Sequence, residues 1–333
     1  AQDYLGGDKD DFDVIEKKKH GYSIDGNEDA YAELWGITND GYASNANYYK
    51  AQGLNPDGVT PNPAYPKLLD VDNLMDYMLI TYYTGEKDGP ASVWATVNNY
   101  ATIINRENPD GFKHFEYDSE WSLGIGVENV VGPINKSQWS QLNHFNGHYL
   151  HEQLVDNAEY RVAFADRVHK RMFNDGLMTA TEAIAMLQVR ADEIDTAIIA
   201  ETARWGDALN DSVPHTKDDH WVPAVNTAKN WMQNRTSTVI NQLRNVGWYP
   251  SLNAPVFSQH GGDFANGFQL SISGPGTIFY TLDGTDPREI ITGNSQGMVY
   301  GSPVTLPHGV VVKARSMTST SNWSALNEAV FIS

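Results

Sequence analysis

The chain has 333 residues, with 23 Lys and Arg against 42 Asp and Glu, and a formal net charge of −19. This length can form two domains with a sizeable core, and the acidic balance without a basic patch argues against a nucleic-acid partner. The absence of cysteine excludes disulfides, thiolate catalysis and cysteine-ligated zinc. No run of about 18 apolar residues is present, so the sequence predicts no membrane-spanning segment.

The first part of the chain, up to Asp70, is polar and rich in turn formers. One short helix is predicted there, from Glu28 to about Trp35. The pattern sharpens after Asp70, a candidate N-cap, because apolar residues then recur at helical spacing through residues 71–82. This predicted helix leads into a loop of Gly and Pro residues around Asp88.

Two strand-like runs follow that loop. Residues 93–104 and 111–117 alternate with the period of a strand, and the turn formers between them predict a hairpin. If the hairpin closes near Asn108, the residue that follows the second strand lies opposite the residues that precede the first.

That register predicts a polar site at one end of the hairpin. Asp118 would lie across from Asn98 and Asn99, and Asp88 would lie on the loop that leads in. Carboxylate and amide oxygens that converge at a sheet end suit Mg²⁺ and a phosphorylated substrate. We therefore take these four residues as candidate site residues.

The remainder of the chain divides into a helical part and a β-like part. Helices are predicted over residues 160–172, from a capping box at residues 179–182, and from about Trp221 to Val246. Beyond a linker at residues 248–255, short β-like runs separated by turn formers predict a small all-β sandwich, at residues 268–273, 277–282, 309–315 and 328–332. The predicted fold class is α+β, a mostly helical lobe with a short β-hairpin followed by the sandwich.

Several segments of the first 250 residues resemble the spore-coat protein H (CotH) kinase-like family. The segments that carry the resemblance are 69–78 (LDVDNLMDYM), Asp88, 112–123 (FKHFEYDSEWSL), 164–169 (FADRVH), 201–207 (ETARWGD) and 242–244 (QLR). Members of that family are similar to protein kinases and transfer phosphate from ATP to Ser residues of secreted proteins. The resemblance thus implies a kinase-like lobe over residues 1–250.

The resemblance also implies roles for three of the candidate residues. Asp88 matches the catalytic-loop aspartate of the family, and Asp118 matches its metal-binding aspartate. Asn99 is the matching amide partner, so Asp118 and Asn99 are expected to bind Mg²⁺ and, through it, ATP. The expected acceptor is a Ser or Thr hydroxyl of a secreted or surface protein.

Two departures from the family pattern affect this expectation. Ser92 and Val93 stand where many similar members carry Asn, which weakens the second metal position. The β-rich lobe that holds the nucleotide in the family would precede Ala1. We therefore interpret the chain as a C-terminal lobe without its N-terminal lobe, a fragment expected to be inactive alone and active within the full-length enzyme.

The tail from Pro255 resembles the chitobiase/hexosaminidase C-terminal domain family. The segments that carry this resemblance are 278–288 (IFYTLDGTDPR), 312–315 (VKAR) and 323–325 (WSA). The resemblance implies a β-domain over residues 251–333 that accompanies exported enzymes and contacts polysaccharide. The expected location is extracellular or at the cell surface.

The sequence leaves two other functions open. One is a non-catalytic scaffold, with a degenerate kinase-like lobe, that binds a surface or a polysaccharide. The other is a glycoside hydrolase in which Asp118 and Glu120 share one face of a strand. Three histidines at helical spacing, His144, His148 and His151, are expected to form a polar helix face rather than a zinc site.

Overall fold

The structure is a computed structural model that describes residues 5–18, 20–90, 98–125, 129–133, 142–208, 212–319 and 322–332. Within these residues a lobe of helices and one sheet is followed by a region of short strands. The predicted α+β class, with a mostly helical lobe and a β-rich tail, is confirmed. Among the described residues, no helix combines the length and the apolar content needed to cross a membrane.

The predicted helices begin close to their expected starts, but the first runs to Asp40 instead of ending near Trp35, and the short helix Asn45–Lys50 was not predicted. The helices are α1 (Asp29–Asp40), α2 (Asn45–Lys50), α3 (Val71–Thr84), α4 (Gly147–Leu154), α5 (Ala158–Met172), α6 (Ala180–Trp205), α7 (Val222–Met232) and α8 (Arg235–Asn245). Asp70 caps α3 as predicted, because its Oδ1 accepts the backbone N–H of Asn73 at 3.0 Å. The single helix predicted from Trp221 to Val246 is wrong, since the chain forms two helices there, α7 and α8.

Among the described residues, five strands form the sheet of the helical lobe, in the order β2-β1-β4-β5-β3. They are β1 (Phe12–Lys18), β2 (His20–Asp25), β3 (Lys67–Leu69), β4 (Tyr100–Asn105) and β5 (Asp110–Glu116). The predicted hairpin is β4–β5, with Tyr100 opposite Glu116. Strands β1 and β2 were not predicted, because this charged segment shows no clear alternation of apolar residues. Residues 91–97, with Ser92 and Val93, lie outside the described residues.

The core of the lobe lies between this sheet and the helices. Helix α3 packs on strand β5 and on helices α4, α5 and α8. Its inward face is almost entirely buried: Leu74, Met75, Tyr77, Met78, Leu79, Thr81, Tyr82 and Tyr83. Burial of so many large side chains makes α3 the central element of the lobe, and the Asp88 loop follows directly from its end.

The β-region has a core of its own. Its strands are β6 (Val256–Phe257), β7 (Gly262–Asp263), β8 (Gln269–Leu270), β9 (Ile272–Ser273), β10 (Thr277–Thr281), β11 (Met298–Val299), β12 (Val304–Thr305), β13 (Val310–Ser319), β14 (Asn322–Trp323) and β15 (Asn327–Ile332). The four predicted β-like runs all contain strands. Their apolar side chains pack together around Leu270, Val312 and Phe331. The division of the chain between residues 250 and 251 stays a prediction.

Buried ion pairs join the β-region to helix α5. Arg315 is fully buried and donates to both carboxylate oxygens of Asp166, at 2.7 and 2.5 Å, and of Asp286, at 2.7 and 2.6 Å. Arg288 makes a second bidentate pair with Glu159, at 2.8 and 2.7 Å. Because Asp166 and Glu159 belong to α5, these two arginines fix the β-region against the helical lobe.

Two of the three histidines lie in the core rather than on a polar face. His148 and His151, in α4, are 1% and 0% exposed. His148 Nε2 donates to the carbonyl oxygen of Gly132 at 3.0 Å, and His151 Nδ1 is hydrogen-bonded to the Tyr160 hydroxyl at 2.7 Å. The expected polar helix face is therefore wrong. His144 ends a short 3₁₀ turn that precedes α4.

We predict that Arg315→Leu lowers the free energy of unfolding by about 3–5 kcal/mol, because it leaves two partly buried carboxylates without their partner. Urea denaturation measures this change. The matched control is Arg190→Leu, which breaks an exposed pair with Glu193 (2.6 Å) and is expected to cost less than about 1 kcal/mol. Equal effects of the two substitutions would show that the buried pair does not hold the β-region.

We also predict that acid destabilises the fold through His148. Burial lowers the pKa of His148 from 6.5 to about 4. As the pH falls below 6.5, the unfolded chain takes up a proton that the folded chain binds only near pH 4. Stability is therefore lost across this window, by roughly 3 kcal/mol for this group.

The variant His148→Gln keeps a donor for Gly132 but does not titrate. Its unfolding free energy is expected to fall less between pH 6.5 and pH 4 than that of the parent, by roughly 3 kcal/mol. A His148→Gln curve parallel to that of the parent would contradict the burial of a neutral imidazole.

Candidate functional site

Asp88 lies in the loop at the C-terminal end of α3. The loop begins at Gly85, which has a left-handed backbone (φ 67°) and ends the helix. The N–H groups of Gly85 and Glu86 both donate to the Thr81 carbonyl oxygen, at 3.1 and 3.2 Å. This reversal brings the half-buried side chain of Asp88 to the end of the β4–β5 hairpin.

The amides of two neighbouring Asn residues connect this loop to the hairpin. Asn98 Nδ2 donates to Asp88 Oδ2 at 2.8 Å, and Asn99 Nδ2 approaches the same oxygen at 3.4 Å. Asn99 Nδ2 also donates to the backbone carbonyl oxygen of Asp118 at 3.0 Å. The structure therefore brings together all four residues that the sequence singles out, and Asn99 bridges the two aspartates.

The backbone is left-handed at two of these four residues. Asn99 has φ 43° and Asp118 has φ 54°. Only Gly enters this region without strain, and Asn and Asp tolerate it better than other residues. Such conformations concentrate at functional sites, where the surrounding structure enforces them. Here the Asn99 amide bridge holds both of the strained residues.

Beneath the two aspartates lie two further carboxyl groups that sequence reasoning missed. Glu86 is 1% exposed, and burial raises its pKa. Burial also raises the pKa of Glu116 to about 7, and the nearby Glu86 adds to that shift. Ser119 and Thr81 donate to Glu116 at 3.3 Å each. The site therefore contains two further carboxyl groups, the buried Glu86 and the partly buried Glu116, in addition to those of Asp88 and Asp118.

The alternation of residues in β5 contains a signal for the partial burial of Glu116. In β5 the side chains of Phe112, His114 and Glu116 share one face, and Phe112 and His114 are buried. The other face carries Phe115, which is 41% exposed. An acidic residue in phase with buried neighbours indicates a perturbed carboxyl group. The sequence prediction followed the other face of the strand, through Phe115 and Tyr117, and therefore did not identify Glu116 as a site residue.

A lysine and a tryptophan form the rim of the site. Lys87 is 9% exposed, and its Nζ lies 4.2 Å from the centre of the Trp121 ring, which is 40% exposed. The backbone N–H of Leu123 donates to the Thr84 carbonyl oxygen at 2.8 Å. These contacts fix the segment after Asp118 against the end of α3.

The donor set fits a magnesium ion that is shared with phosphate. Asp118 is exposed at the end of the hairpin, so its carboxylate is accessible from solvent. Mg²⁺ in kinase sites binds one or two carboxylates together with substrate phosphates and water. No cluster of three or more His, Asp or Glu side chains placed to hold a metal occurs within the described part of the chain.

The paired carboxylates suggested for a glycoside hydrolase are not arranged as expected. Strand β5 ends at Glu116, so Asp118 and Glu120 follow the strand instead of sharing one of its faces. Glu120 is exposed in a turn. The shared-face argument for that function is therefore wrong.

Comparison with known families gives two matches. Residues 20–239, more than half of the chain, match the model of the family described as CotH kinase protein. Residues 268–328 match the family described as Fn3 associated, and the chitobiase-type description of the tail is not confirmed. No curated protein and no solved structure matches the chain.

We predict that residue 99 reports the left-handed backbone of the site. Asn99→Ala and Asn99→Gly both remove the amide bridge, but only Ala is strained at φ 43°. The Ala variant is therefore expected to be less stable than the Gly variant by about 1 kcal/mol in urea denaturation.

Glu107, an exposed residue in the connection between β4 and β5, provides the control for this comparison, because its φ is not positive. At residue 107, Ala is expected to be as stable as Gly or more stable, since Gly loses more conformational freedom on folding. The same order of stability at both positions would contradict the left-handed geometry of Asn99.

Proposed function

The chain belongs to the CotH kinase protein family, and from that premise we propose that it transfers phosphate from ATP, with Mg²⁺, to Ser or Thr residues. The acceptors are extracellular or cell-surface proteins, and the protein is located there with them. The observation that supports this function best is the Asn99 bridge, which joins the Asp88 carboxylate to the backbone of Asp118. Phosphoryl transfer depends mainly on positioning and charge neutralisation, and this bridge positions both acids.

Each site residue has a defined part in this reaction. Asp88 orients the acceptor hydroxyl and accepts its proton as the oxygen bonds to the γ-phosphorus and the bond from phosphorus to ADP breaks. Asp118 and Asn99 would hold Mg²⁺, which supplies positive charge to the phosphates when it is bound. Asn98 keeps the Asp88 carboxylate turned towards the hairpin through its 2.8 Å hydrogen bond.

The β-region has an accessory role in this proposal. We infer that residues 251–333 contact polysaccharide at the cell surface, and this rests on the resemblance of the tail to domains of exported enzymes. Trp323 is 7% exposed, and its Nε1 donates to the Gly293 carbonyl oxygen at 2.9 Å. Because that ring is part of the core, a sugar platform would have to use other residues.

Site variants of the full-length protein test the function. Asp118→Asn removes the charge of a metal ligand while keeping a residue that tolerates φ 54°, and Asp88→Asn removes the base. Incorporation of phosphate from ATP into surface proteins, with Mg²⁺, is expected to fall by about 10²–10³-fold in each variant. Glu107→Gln, which removes one exposed charge at the far end of the hairpin, should leave the rate unchanged.

Two results would contradict the proposal. Phosphorylation that persists in Asp118→Asn would remove the metal role of that residue. A parent protein that neither phosphorylates proteins nor gains thermal stability from ATP and Mg²⁺, but is retained on insoluble glycan, would instead support the non-catalytic scaffold.

A further inference from the structure

The loop that carries Asp88 is built around one buried carboxyl group, that of Glu86. Glu86 is 1% exposed, and its Oε1 accepts the backbone N–H of Asp88 at 2.6 Å. Its other oxygen, Oε2, is buried and has no hydrogen-bond partner among the described residues. The side chain thus makes one short bond, to the residue that matches the catalytic aspartate of the family.

The backbone closes around this side chain from both directions. Before it, Gly85 reverses the chain in the left-handed conformation, and the Glu86 N–H returns to the Thr81 carbonyl oxygen at 3.2 Å. After it, Gly89 lies so close that a Cβ atom added there would be 3.0 Å from Glu86 Cγ. The Glu86 side chain therefore fills the inside of the loop, and Asp88 lies on the turn around it.

Asp88 is consequently held at two points. Glu86 binds its backbone N–H, while the amides of Asn98 and Asn99 lie at 2.8 and 3.4 Å from its carboxylate oxygen Oδ2. A side chain held at both ends has few orientations left. Such preorganisation contributes to catalysis, because a displacement of about 1 Å can cost about 10²-fold in rate.

This arrangement is unfavourable for folding alone. A buried carboxyl oxygen without a partner destabilises the folded state, and Asp88 and Glu120 add negative charge near Glu86. The short side chains of Ser, Asn or Asp make local turn bonds of this kind without placing a long acid inside the loop. A local departure from what favours stability is typical of functional sites.

We propose that Glu86 is a positioning residue: its carboxyl group holds the Asp88 backbone so that the Asp88 carboxylate faces the acceptor hydroxyl. The effect on catalysis rests on the function proposed above, whereas the hold on the loop does not. Glu86 touches neither substrate nor metal in this role and acts only through Asp88.

Two variants of the full-length protein separate this role from a merely structural one. Glu86→Gln keeps an oxygen that accepts the Asp88 N–H, whereas Glu86→Met has a similar length and no such acceptor. Three quantities are measured for each variant: the hydrogen exchange rate of the Asp88 amide, kcat with KM for ATP, and Tm. Glu120→Gln is the control, because it removes an exposed charge near the loop and leaves the hold intact.

The Gln variant and the control are expected to behave like the parent. In Glu86→Met, exchange at Asp88 should accelerate by at least about 10-fold, since its hydrogen-bond acceptor is gone. Its kcat should fall by about 10–100-fold with KM for ATP unchanged, because only the placement of Asp88 changes. Its Tm should change little, because the lost acceptor of the Asp88 N–H is offset by the removal of a buried carboxyl oxygen that has no partner.

Other outcomes overturn the proposal. Exchange at Asp88 that is as fast in the parent as in Glu86→Met would show that the hold does not exist. Unchanged kcat in Glu86→Met, or kcat and Tm that fall together, would leave Glu86 with no positioning role. If the parent itself transfers no phosphate, the proposed function fails, and the exchange rates alone then decide whether Glu86 holds Asp88.

Discussion

The register of the β4–β5 hairpin is the constraint on which the site depends. Tyr100 pairs with Glu116, so Asn99 and Asp118, which lie one and two residues outside the ladder, meet at the same end of the sheet. A shift of one residue would turn every side chain of one strand to the opposite face. Phe112 and His114 of β5 are buried in the core, and such a shift would turn them outward. The burial of these side chains therefore also fixes the position of the polar groups at the end of the hairpin. The geometry of the site is in this sense a consequence of packing beneath it.

The site also shows where folding and function favour different residues. Left-handed backbone at Asn99 and Asp118 is unfavourable, and so is a buried, partly unpaired carboxyl group at Glu86. Each of these features is held by well-packed surroundings, since α3 is buried along most of its length. A rigid helix and a fixed hairpin can support local strain that a mobile loop would relax. The left-handed residues Asn99 and Asp118 therefore lie where the buried helix α3 and the paired hairpin meet.

Sequence reasoning recovered the parts of this molecule whose signals are local. Asp70 and the periodicity after it defined α3, and turn formers near Asn108 placed Asp118 opposite Asn98 and Asn99. It missed strands β1 and β2, because β1 is held by pairing with β4 and β2 by pairing with β1, and neither shows an alternation of its own. It also missed Glu86, because the burial of an acid in a loop depends on how distant segments close around it. The composition of the chain and the spacing of its residues do not indicate which distant segments pack around Glu86.

Helix α5 links the β-region to the site through a chain of direct contacts. On one side, its Asp166 binds the buried Arg315 of the β-region. On another, its Arg171 makes a bidentate pair with Asp76 of α3, at 2.8 and 2.6 Å. The C-terminal end of α3 is bound in turn by Arg235, which donates to backbone carbonyl oxygens of its last turn. Because the Asp88 loop begins at that end, the ion pairs that fix the β-region belong to the same framework that fixes the candidate catalytic residue. A β-region held in this way acts as part of the support of the lobe and not only as an appended domain.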